Sequence, residues 1–247
     1  MCDEVNKREV QQILSETLSR EINERETGLL IKHLSFVLEQ NKKMNLTRII
    51  DKESGVILHI EDSLTALQEI DRAPSGKMVD LGSGGGFPGI PLAIVTGRET
   101  TLVESTSKKA KVLEEFIQSN DMNTKIEVAA MRIEELSLYK KNQYMVATAR
   151  ALSSLTAILE LASPLLMIGG LVIAYKGRLS EVELESAIRL NTLLGMELLT
   201  RRKLILSDGK TRREIIVFKK IGPAQIQLPR RVGQAQKNPL SKREEGC

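Results

Sequence analysis

A glycine-rich segment between an apolar strand and an apolar helix is the part of the sequence best suited to hold a small molecule. Residues 78–94 read MVDLGSGGGFPGIPLAI, and Gly82 and the run Gly84 to Gly86 separate the two apolar stretches. A glycine has no Cβ, so it adopts positive φ at little cost and lets a ligand approach the main chain closely. The segment therefore predicts a loop that cradles a ligand.

Two carboxylates lie beside this loop in the predicted sheet. Asp80 stands near the end of the strand that precedes the loop, and Glu104 ends the next apolar run, Thr100 to Glu104. The carboxyl ends of parallel strands meet at one edge of an open α/β sheet, and ligands bind at that edge. We expect a nucleoside cofactor there, with both carboxylates among its binding residues. For Asp80, holding the glycine loop is the alternative role.

One parsing of the glycines indicates a dinucleotide. The run 84–89, GGGFPG, satisfies G-x-G-x-x-G, which leaves a nicotinamide-dependent oxidoreductase as an alternative function. A bound pyrophosphate needs free backbone N–H groups at the start of the helix. Pro88 and Pro91 lie at that helix start and have no N–H, which argues against a dinucleotide.

The other parsing indicates a methyl donor. The run 80–86, DLGSGGG, resembles the D/E-x-G-x-G-x-G loop of class I S-adenosylmethionine methyltransferases. This cofactor carries no phosphate, so prolines at the helix start are compatible with it. The resemblance implies that Glu104 accepts hydrogen bonds from the ribose hydroxyls of S-adenosylmethionine.

A longer match narrows the resemblance to one family. The stretch GSGGGFPGIPLAI at 82–94 is similar to the signature of the RsmG family, also called GidB, the 16S rRNA guanine-N7 methyltransferases. Other stretches agree in the family's order: KKMNLTRI at 42–49, HIEDSL at 59–64, TARALSSL at 148–155, AYKG at 174–177, RREIIVFKK at 212–220 and LPRRVGQAQKNPL at 228–240. The resemblance implies methylation of N7 of one guanine of 16S rRNA, position 527 in the usual 16S numbering, in the 530 loop.

The resemblance also assigns roles to individual residues. It places Gly82 and Phe87 against S-adenosylmethionine, and Ile133 with Glu134 beside its adenine. It gives Arg150, at the end of a predicted strand, a place at the cofactor and the target base, which makes it the expected catalytic residue. A structural arginine paired with a carboxylate is the alternative for that position. Together with these residues, Asp80, Gly84 and Glu104 complete the expected cofactor site.

The expected chemistry requires no general base. Guanine N7 already carries a lone pair and no proton, so positioning donor and acceptor in line suffices for methyl transfer. The sequence has no N-P-P-Y motif, which exocyclic amine methylation uses, and no internal cysteine. We expect His33 to be a half-buried helix histidine, and His59 and Asp62-Ser63 to serve packing and capping between the helical cap and the core. A non-catalytic RNA-binding protein that retains the fold is a second alternative function.

The last fifth of the chain is strongly basic. Residues 200–247 contain 13 Lys and Arg against 4 Asp and Glu, although the net charge of the whole chain is only +4. Clustered cations supply contacts to phosphates that weaken as salt rises. The clusters expected to do so are Arg201-Arg202-Lys203, Arg212-Arg213, Lys219-Lys220 and Arg230-Arg231; a solvated basic surface is the alternative. By resemblance, Arg132, Lys176 and Arg213 line an RNA-facing cleft.

Hydrophobic periodicity divides the chain into three parts. Residues 1–75 predict a small N-terminal helical cap, 76–222 a Rossmann-like methyltransferase domain, and 223–247 a loose basic C-terminal tail. Alternating strands and helices in the middle part predict a doubly wound, parallel α/β sheet with an antiparallel final hairpin. The expected strands are 100–104, 126–130, 144–149, 171–175, 196–206 and 214–221, and the expected helices are 107–119, 153–167 and 180–194.

Composition limits the class of protein and the compartment in which we expect it. With 247 residues and 41% hydrophobic content, the chain can bury the core of one α/β domain with an extension. Its cysteines, Cys2 and Cys247, predict neither a disulfide framework nor a metal site. No run of 18 apolar residues and no signal-peptide layout is present. We expect a cytoplasmic protein that binds 16S rRNA or the small ribosomal subunit, with no membrane contact and no required protein partner.

Overall fold

The fold is built around one sheet of seven strands. We describe it from a computed structural model, which describes residues 7–18, 20–122 and 124–240; the two cysteines lie outside these ranges. The strands are β1 (Lys77–Leu81), β2 (Thr100–Val103), β3 (Ile126–Ala129), β4 (Tyr144–Arg150), β5 (Leu166–Lys176), β6 (Met196–Ile205) and β7 (Arg212–Lys220).

The strand order is β3-β2-β1-β4-β5-β7-β6. Strands β1 to β5 pair in parallel, and β7 runs antiparallel to both β5 and β6. The chain moves outward in one direction from β1 to β3 and then returns to place β4 on the other side of β1. This reversal is a topological switch point, where a cleft opens at the carboxyl ends of the strands. The predicted doubly wound sheet with a terminal hairpin is confirmed.

Helices cover both faces of the sheet. Before β1 lie α1 (Lys7–Thr17), α2 (Glu24–Asn41), α3 (Lys52–Gly55), a π-helix (Val56–Glu61), α4 (Asp62–Leu64) and α5 (Leu67–Asp71). Between and after the strands lie α6 (Gly89–Thr96), α7 (Ser107–Ser119), α8 (Ile133–Tyr139), α9 (Leu155–Ala162), α10 (Glu181–Arg189), α11 (Asn191–Leu194) and α12 (Gln234–Lys237).

The N-terminal helices share a core with one face of the sheet. Leu30 of α2 and Ile60 of the π-helix pack in one buried cluster with Leu92 of α6 and Ile173 of β5. Gly55 permits this packing, since a Cβ there would lie 2.7 Å from Leu34 Cδ1. The helices thus hold their side chains, including those of the π-helix, at a fixed position above the cleft. The division at residue 75 stays a prediction.

Two predicted helices differ from the structure. The helix predicted over 153–167 ends at Ala162, and β5 already begins at Leu166. Pro164 explains the early end, because it has no N–H to continue the helical hydrogen bonds. The helix predicted over 180–194 is divided into α10 and α11 at Leu190.

The expectation of a loose tail is wrong for residues 223–240. Arg230 donates two hydrogen bonds to the carboxylate of Glu160 in α9, from Nε at 2.7 Å and from Nη2 at 2.6 Å. Ala235 of α12 is 2% exposed, and Leu228 and Leu240 pack against the core. Apolar contacts and a buried acidic partner hold the segment against α9, which the basic composition alone did not indicate.

Candidate active site

A cavity of about 420 Å³ opens at the switch point of the sheet. This volume lies in the range that small-molecule sites occupy. The loop after β1 forms its floor, residues that follow β2, β3 and β4 form its sides, and the N-terminal helices close it from above. The lining includes Val37, Thr47, His59, Gly82, Gly84, Phe87, Glu104, Lys109, Arg132, Ile133, Glu134, Arg150, Leu152 and Gln236.

The glycine loop is held in a left-handed conformation that other residues adopt poorly. Gly82, Gly84 and Gly86 have φ of +72°, +56° and +88°. A Cβ at Gly82 would lie 2.6 Å from Leu152 Cδ1, whereas a Cβ at Gly84 would meet nothing within 4 Å. Gly84 therefore borders open space in the cavity, as expected for a residue that a ligand approaches.

Glu104 connects the loop to β2. Its Oε2 accepts a hydrogen bond from Gly84 N at 3.0 Å, and its Oε1 accepts one from Thr106 N at 2.7 Å. The side chain is 7% exposed and lines the cavity. The backbone thus fixes the carboxylate, and each oxygen keeps a lone pair for a hydroxyl donor in the cavity.

Asp80 is 1% exposed and does not line the cavity, so the structure favours the expected alternative, support of the glycine loop, over a cofactor contact. Its Oδ1 accepts from Thr148 Oγ1 at 2.7 Å, and its Oδ2 would lie 2.8 Å from a Cβ at Gly89. Burial raises the pKa of this carboxyl above its usual value. Asp80 therefore supports the loop and the start of α6 from beneath.

An aromatic cluster closes one end of the cavity. The rings of Phe87 and His59 are stacked, with centroids 4.4 Å apart, and His33 lies 4.3 Å from Phe87 on another side. His33 Nε2 donates to Gly85 O at 2.9 Å. Burial lowers the pKa of each histidine to about 3, so both rings are neutral near pH 7. His33 is fully buried rather than half-buried, and His59, expected only to pack and cap, also lines the cavity.

Arg150 lies at the cavity end of β4 and is also paired with a carboxylate. Its Nη1 donates to Asp62 Oδ2 at 2.9 Å and to Leu58 O at 3.2 Å. Its guanidinium carbon lies 5.5 Å from the centre of the Phe87 ring. The predicted position at the cavity and the alternative of a paired arginine therefore both describe this residue.

Ile133, Glu134 and the C-terminal segment form a further part of the cavity wall. Glu134 lines the cavity from α8, and its Oε1 accepts a hydrogen bond from Gly233 N at 2.7 Å. Gln236 of α12 lines the same wall. The C-terminal segment, predicted to be a loose tail, is thus part of the cavity wall.

Comparisons with known proteins identify the fold and the family. The model of the family described as GidB, rRNA small subunit methyltransferase G, matches residues 26–213. The chain is 33% identical over 226 residues to the ribosomal RNA small subunit methyltransferase G of Alkaliphilus oremlandii, covering 90% of this chain and 94% of the relative. It is 34% identical to the protein of that name from Chloroflexus aggregans, covering 89% and 92%. The chain belongs to the GidB family.

Solved structures agree on the fold of this GidB member. A variant of MtNAS in complex with S-adenosylmethionine superposes with a TM-score of 0.52 at 13% identity, covering 87% of this chain and 78% of that one. The [4+2]-cyclase SpnF gives a TM-score of 0.52 at 13% identity, covering 66% and 81%. The predicted family, the class I fold and the class of S-adenosylmethionine-dependent rRNA methyltransferase are confirmed, and the nicotinamide alternative is set aside.

Some of the basic residues predicted to bind RNA form ion pairs within the protein. Of the three cleft residues, only Arg132 lines the cavity. Lys176 Nζ pairs with Glu183 Oε1 at 2.8 Å, and Arg213 Nε pairs with Asp62 Oδ1 at 2.6 Å. Neither borders the cavity, and an acidic side chain of the protein pairs with each of them.

The basic clusters show the same internal pairing. Arg201 pairs with Glu214 and Glu181, and Arg202 pairs with Glu69. Lys220 is 3% exposed and donates to Ser163 Oγ and Leu194 O. The members left exposed are Lys203, Arg212, Lys219 and Arg231. Lys220 is therefore unavailable to a phosphate, and phosphate contact by the exposed members stays a prediction.

Sequence reasoning missed the cap side of the cavity. Val37, Leu46 and Thr47 line it from α2 and the segment after it, and His59 lines it from the π-helix. The family-like stretches KKMNLTRI and HIEDSL contain three of these residues, Leu46, Thr47 and His59. The resemblance did not assign a place in the cavity to any of them. Within the described ranges, no cluster of three or more His, Cys, Asp and Glu could hold a metal, and no helix is long and apolar enough to cross a membrane.

Proposed function

We propose that this protein transfers the methyl group of S-adenosylmethionine to N7 of one guanine of 16S rRNA, position 527 in the usual numbering, in the 530 loop. The observation that carries the proposal is the composition of the cavity. The glycine loop and the fixed carboxylate of Glu104 line the same space as Arg150 and the neutral ring of His59. Membership of the GidB family supports the substrate. Guanine N7 carries no proton, so none of these side chains has to act as a general base.

The residues of the cavity fit S-adenosylmethionine. Glu104 offers a fixed carboxylate for the ribose diol, and the loop of glycines presents backbone rather than cationic side chains. Pro88 at the start of α6 removes a donor that a pyrophosphate would need. We assign Gly82, Gly84, Phe87 and Glu104 to the cofactor, with Ile133 and Glu134 at the adenine.

The bound cofactor would supply a sulfonium methyl group that needs no further activation. The protein's task is then to hold the acceptor in line with that methyl group and to exclude water. Phe87 and His59 provide an apolar surface at that end of the cavity, since both rings are uncharged and stacked. We assign Arg150 to the reacting groups, because it is the cation at this end and Asp62 fixes it.

Cations at the mouth of the cavity provide an approach for RNA. Arg132 is exposed and borders the cavity, and Lys109 lies across from it after β2. Lys42, Lys43 and Arg48 are exposed on the segment that carries Thr47. We propose that these five residues meet phosphates of the substrate, in a cytoplasmic reaction with rRNA or the small subunit that requires no protein partner.

The reaction can be tested in cells that lack the gene. Borohydride reduction and aniline cleavage of their 16S rRNA reports N7-methylguanine at each position. We expect cleavage in the 530 loop to be absent without the gene and to return with the wild-type protein. Return of cleavage with an Arg150→Ala variant would contradict the role of Arg150, and unchanged cleavage without the gene would contradict the proposed function.

A further inference from the structure

Thr47 lies in a segment whose backbone is fixed above the cavity. The Oδ1 of Asn41 accepts hydrogen bonds from Leu46 N at 2.7 Å and from Thr47 N at 2.9 Å. These bonds hold the turn after α2, and Thr47 lines the cavity beside His59. The position of the Thr47 hydroxyl is thus set by the fold before any ligand binds.

The direction of the hydrogen bonds around Thr47 follows from Arg150. Arg150 Nη2 lies 3.2 Å from His59 Nδ1, and a guanidinium can only donate, so Nδ1 is the acceptor. His59 is neutral, which places its one ring proton on Nε2. Nε2 lies 2.8 Å from Thr47 Oγ1 and therefore donates to it.

This arrangement leaves the Thr47 hydroxyl as a donor. Its oxygen accepts from His59 Nε2 and also from Ile49 N at 3.1 Å, which uses both lone pairs. The hydroxyl proton must then point elsewhere, and no acceptor for it occurs among the residues that the structure describes. Since Thr47 lines the cavity, that proton is available to a ligand.

The ligand is found from the position of Thr47 in the cavity. Glu104 and Glu134, assigned above to the ribose and the adenine, lie on the side of β2 and α8. Thr47 lies on the side of the N-terminal helices, next to His59 and Arg150, where the reacting groups are assigned. We propose that the Thr47 hydroxyl donates a hydrogen bond to O6 of the target guanine; this inference rests on the proposed function.

Such a bond would select the base. Guanine presents two acceptors, N7 and O6, on the edge that is methylated, whereas adenine presents N7 beside an amino donor. A hydroxyl that must donate is satisfied by O6 and faces another donor if adenine is placed there. Arg150 and His59 therefore act through Thr47 to determine which purine enters.

The test combines protein variants with a modified base. Thr47→Val removes the hydroxyl and keeps the shape, Thr47→Ser restores a hydroxyl, and Thr17→Val is the control on exposed α1. The substrates are small subunits reconstituted with guanine or with 2-aminopurine at the target; 2-aminopurine keeps N7 but has no O6. We measure kcat/KM for methyl transfer and the Kd of S-adenosylmethionine.

We expect Thr47→Val to lower kcat/KM on the guanine substrate about tenfold, while the Kd of S-adenosylmethionine stays within about twofold. Thr47→Ser and Thr17→Val should stay close to wild type. With 2-aminopurine, wild type and Thr47→Val should have equal kcat/KM, since the contact cannot form in either case.

Three results would overturn the inference. Equal activity of Thr47→Val and wild type on guanine would do so, as would a further tenfold loss for Thr47→Val on 2-aminopurine. A tenfold weaker Kd for S-adenosylmethionine in Thr47→Val would assign the hydroxyl to the cofactor. If wild type leaves guanine N7 unmethylated, the proposed function itself fails, a result distinct from these three.

Discussion

Asp62 and Arg150 form an ion pair at the edge of the cavity, with Asp62 Oδ2 2.9 Å from Arg150 Nη1. The same carboxylate accepts two hydrogen bonds from Arg213 of β7, at 2.6 and 2.8 Å, and the Asp62 side chain is 1% exposed. One acidic group from the N-terminal helices thus fixes an arginine of β4 and an arginine of the terminal hairpin. The cap is therefore part of the active site rather than an appendage to it.

Replacing Asp62 should destabilise the protein and displace Arg150. We expect Asp62→Asn to lower the free energy of unfolding by about 3 kcal/mol, because it leaves two partly buried guanidinium groups without their counter-charge. Chemical denaturation and methyl transfer measure the two effects, with exposed Asp71→Asn as the control. Matching denaturation midpoints for the two variants would show that the pair contributes nothing.

A side chain at Gly84 should block the cofactor without disturbing the core. Gly84→Leu places its Cβ in open space, at a backbone cost of about 1–2 kcal/mol for positive φ. Gly209→Leu is a matched control, since Gly209 has φ of +68° and no atoms within 4 Å of a Cβ. We expect only Gly84→Leu to weaken S-adenosylmethionine binding, by more than tenfold in calorimetry. Wild-type affinity in Gly84→Leu would contradict the assigned cradle.

The C-terminal segment should contribute to cofactor affinity through Arg230. Arg230→Met leaves Glu160 buried without a partner and loosens the segment that holds Glu134 through Gly233. Its neighbour Arg231 is exposed, so Arg231→Met makes the same change in charge at the surface. We expect Arg230→Met to raise the Kd of S-adenosylmethionine about tenfold and Arg231→Met to leave it unchanged. Identical Kd values for both variants would mean that the segment does not shape the cavity.

Stability should fall as pH drops below neutrality. Burial lowers the pKa of His33 and His59 to about 3, whereas an unfolded histidine titrates near 6.5. Between these values the unfolded chain binds protons that the folded chain does not. The stabilisation is thus complete above pH 6.5 and is lost toward pH 3, by up to about 1.4 kcal/mol per pH unit for each ring.

Asp80 acts in the opposite direction at the acid end of this range. Burial raises its pKa, so the folded chain takes up a proton before the unfolded chain does as the pH falls toward 4.

His33 and His59 are the 2 histidines of the chain, so a loss of stability between pH 7.5 and 5 can be assigned to them. We expect urea denaturation between pH 7.5 and 5 to show a loss of stability, with a shallower slope in His33→Leu. A pH-independent midpoint over that range would contradict the buried neutral rings.

The local sequence pattern was enough to predict the secondary-structure elements around the glycine loop. The helix predicted at 107–119 matches α7 residue for residue, and the loop lies between β1 and α6 as expected. These elements follow from the order of apolar runs and glycines along the chain. The orientation of Asp80 does not, because it depends on which face of β1 points toward α6.

The partners of the basic residues could not be predicted in the same way. Asp62 and Arg213 are 151 residues apart, and Arg230 and Glu160 are 70 apart. Only the folded chain shows that Asp62 holds Arg213 and that Glu160 holds Arg230, so a basic cluster in the sequence does not by itself mark a free phosphate-binding surface. For the same reason the role of Thr47 needed the positions of His59 and Arg150.

Mass spectrometry can determine whether this protein methylates a guanine of the 530 loop. Small subunits from cells that lack the gene would be incubated with the purified protein and S-adenosylmethionine carrying a deuterated methyl group. Nuclease fragments covering the 530 loop would then be sequenced by mass to locate the labelled nucleotide, and borohydride reduction with aniline cleavage would report whether its methyl group is at N7. We predict one deuterated methyl group on one guanine, at N7. Label on another nucleotide or another atom, or no label in 16S rRNA, would contradict the account.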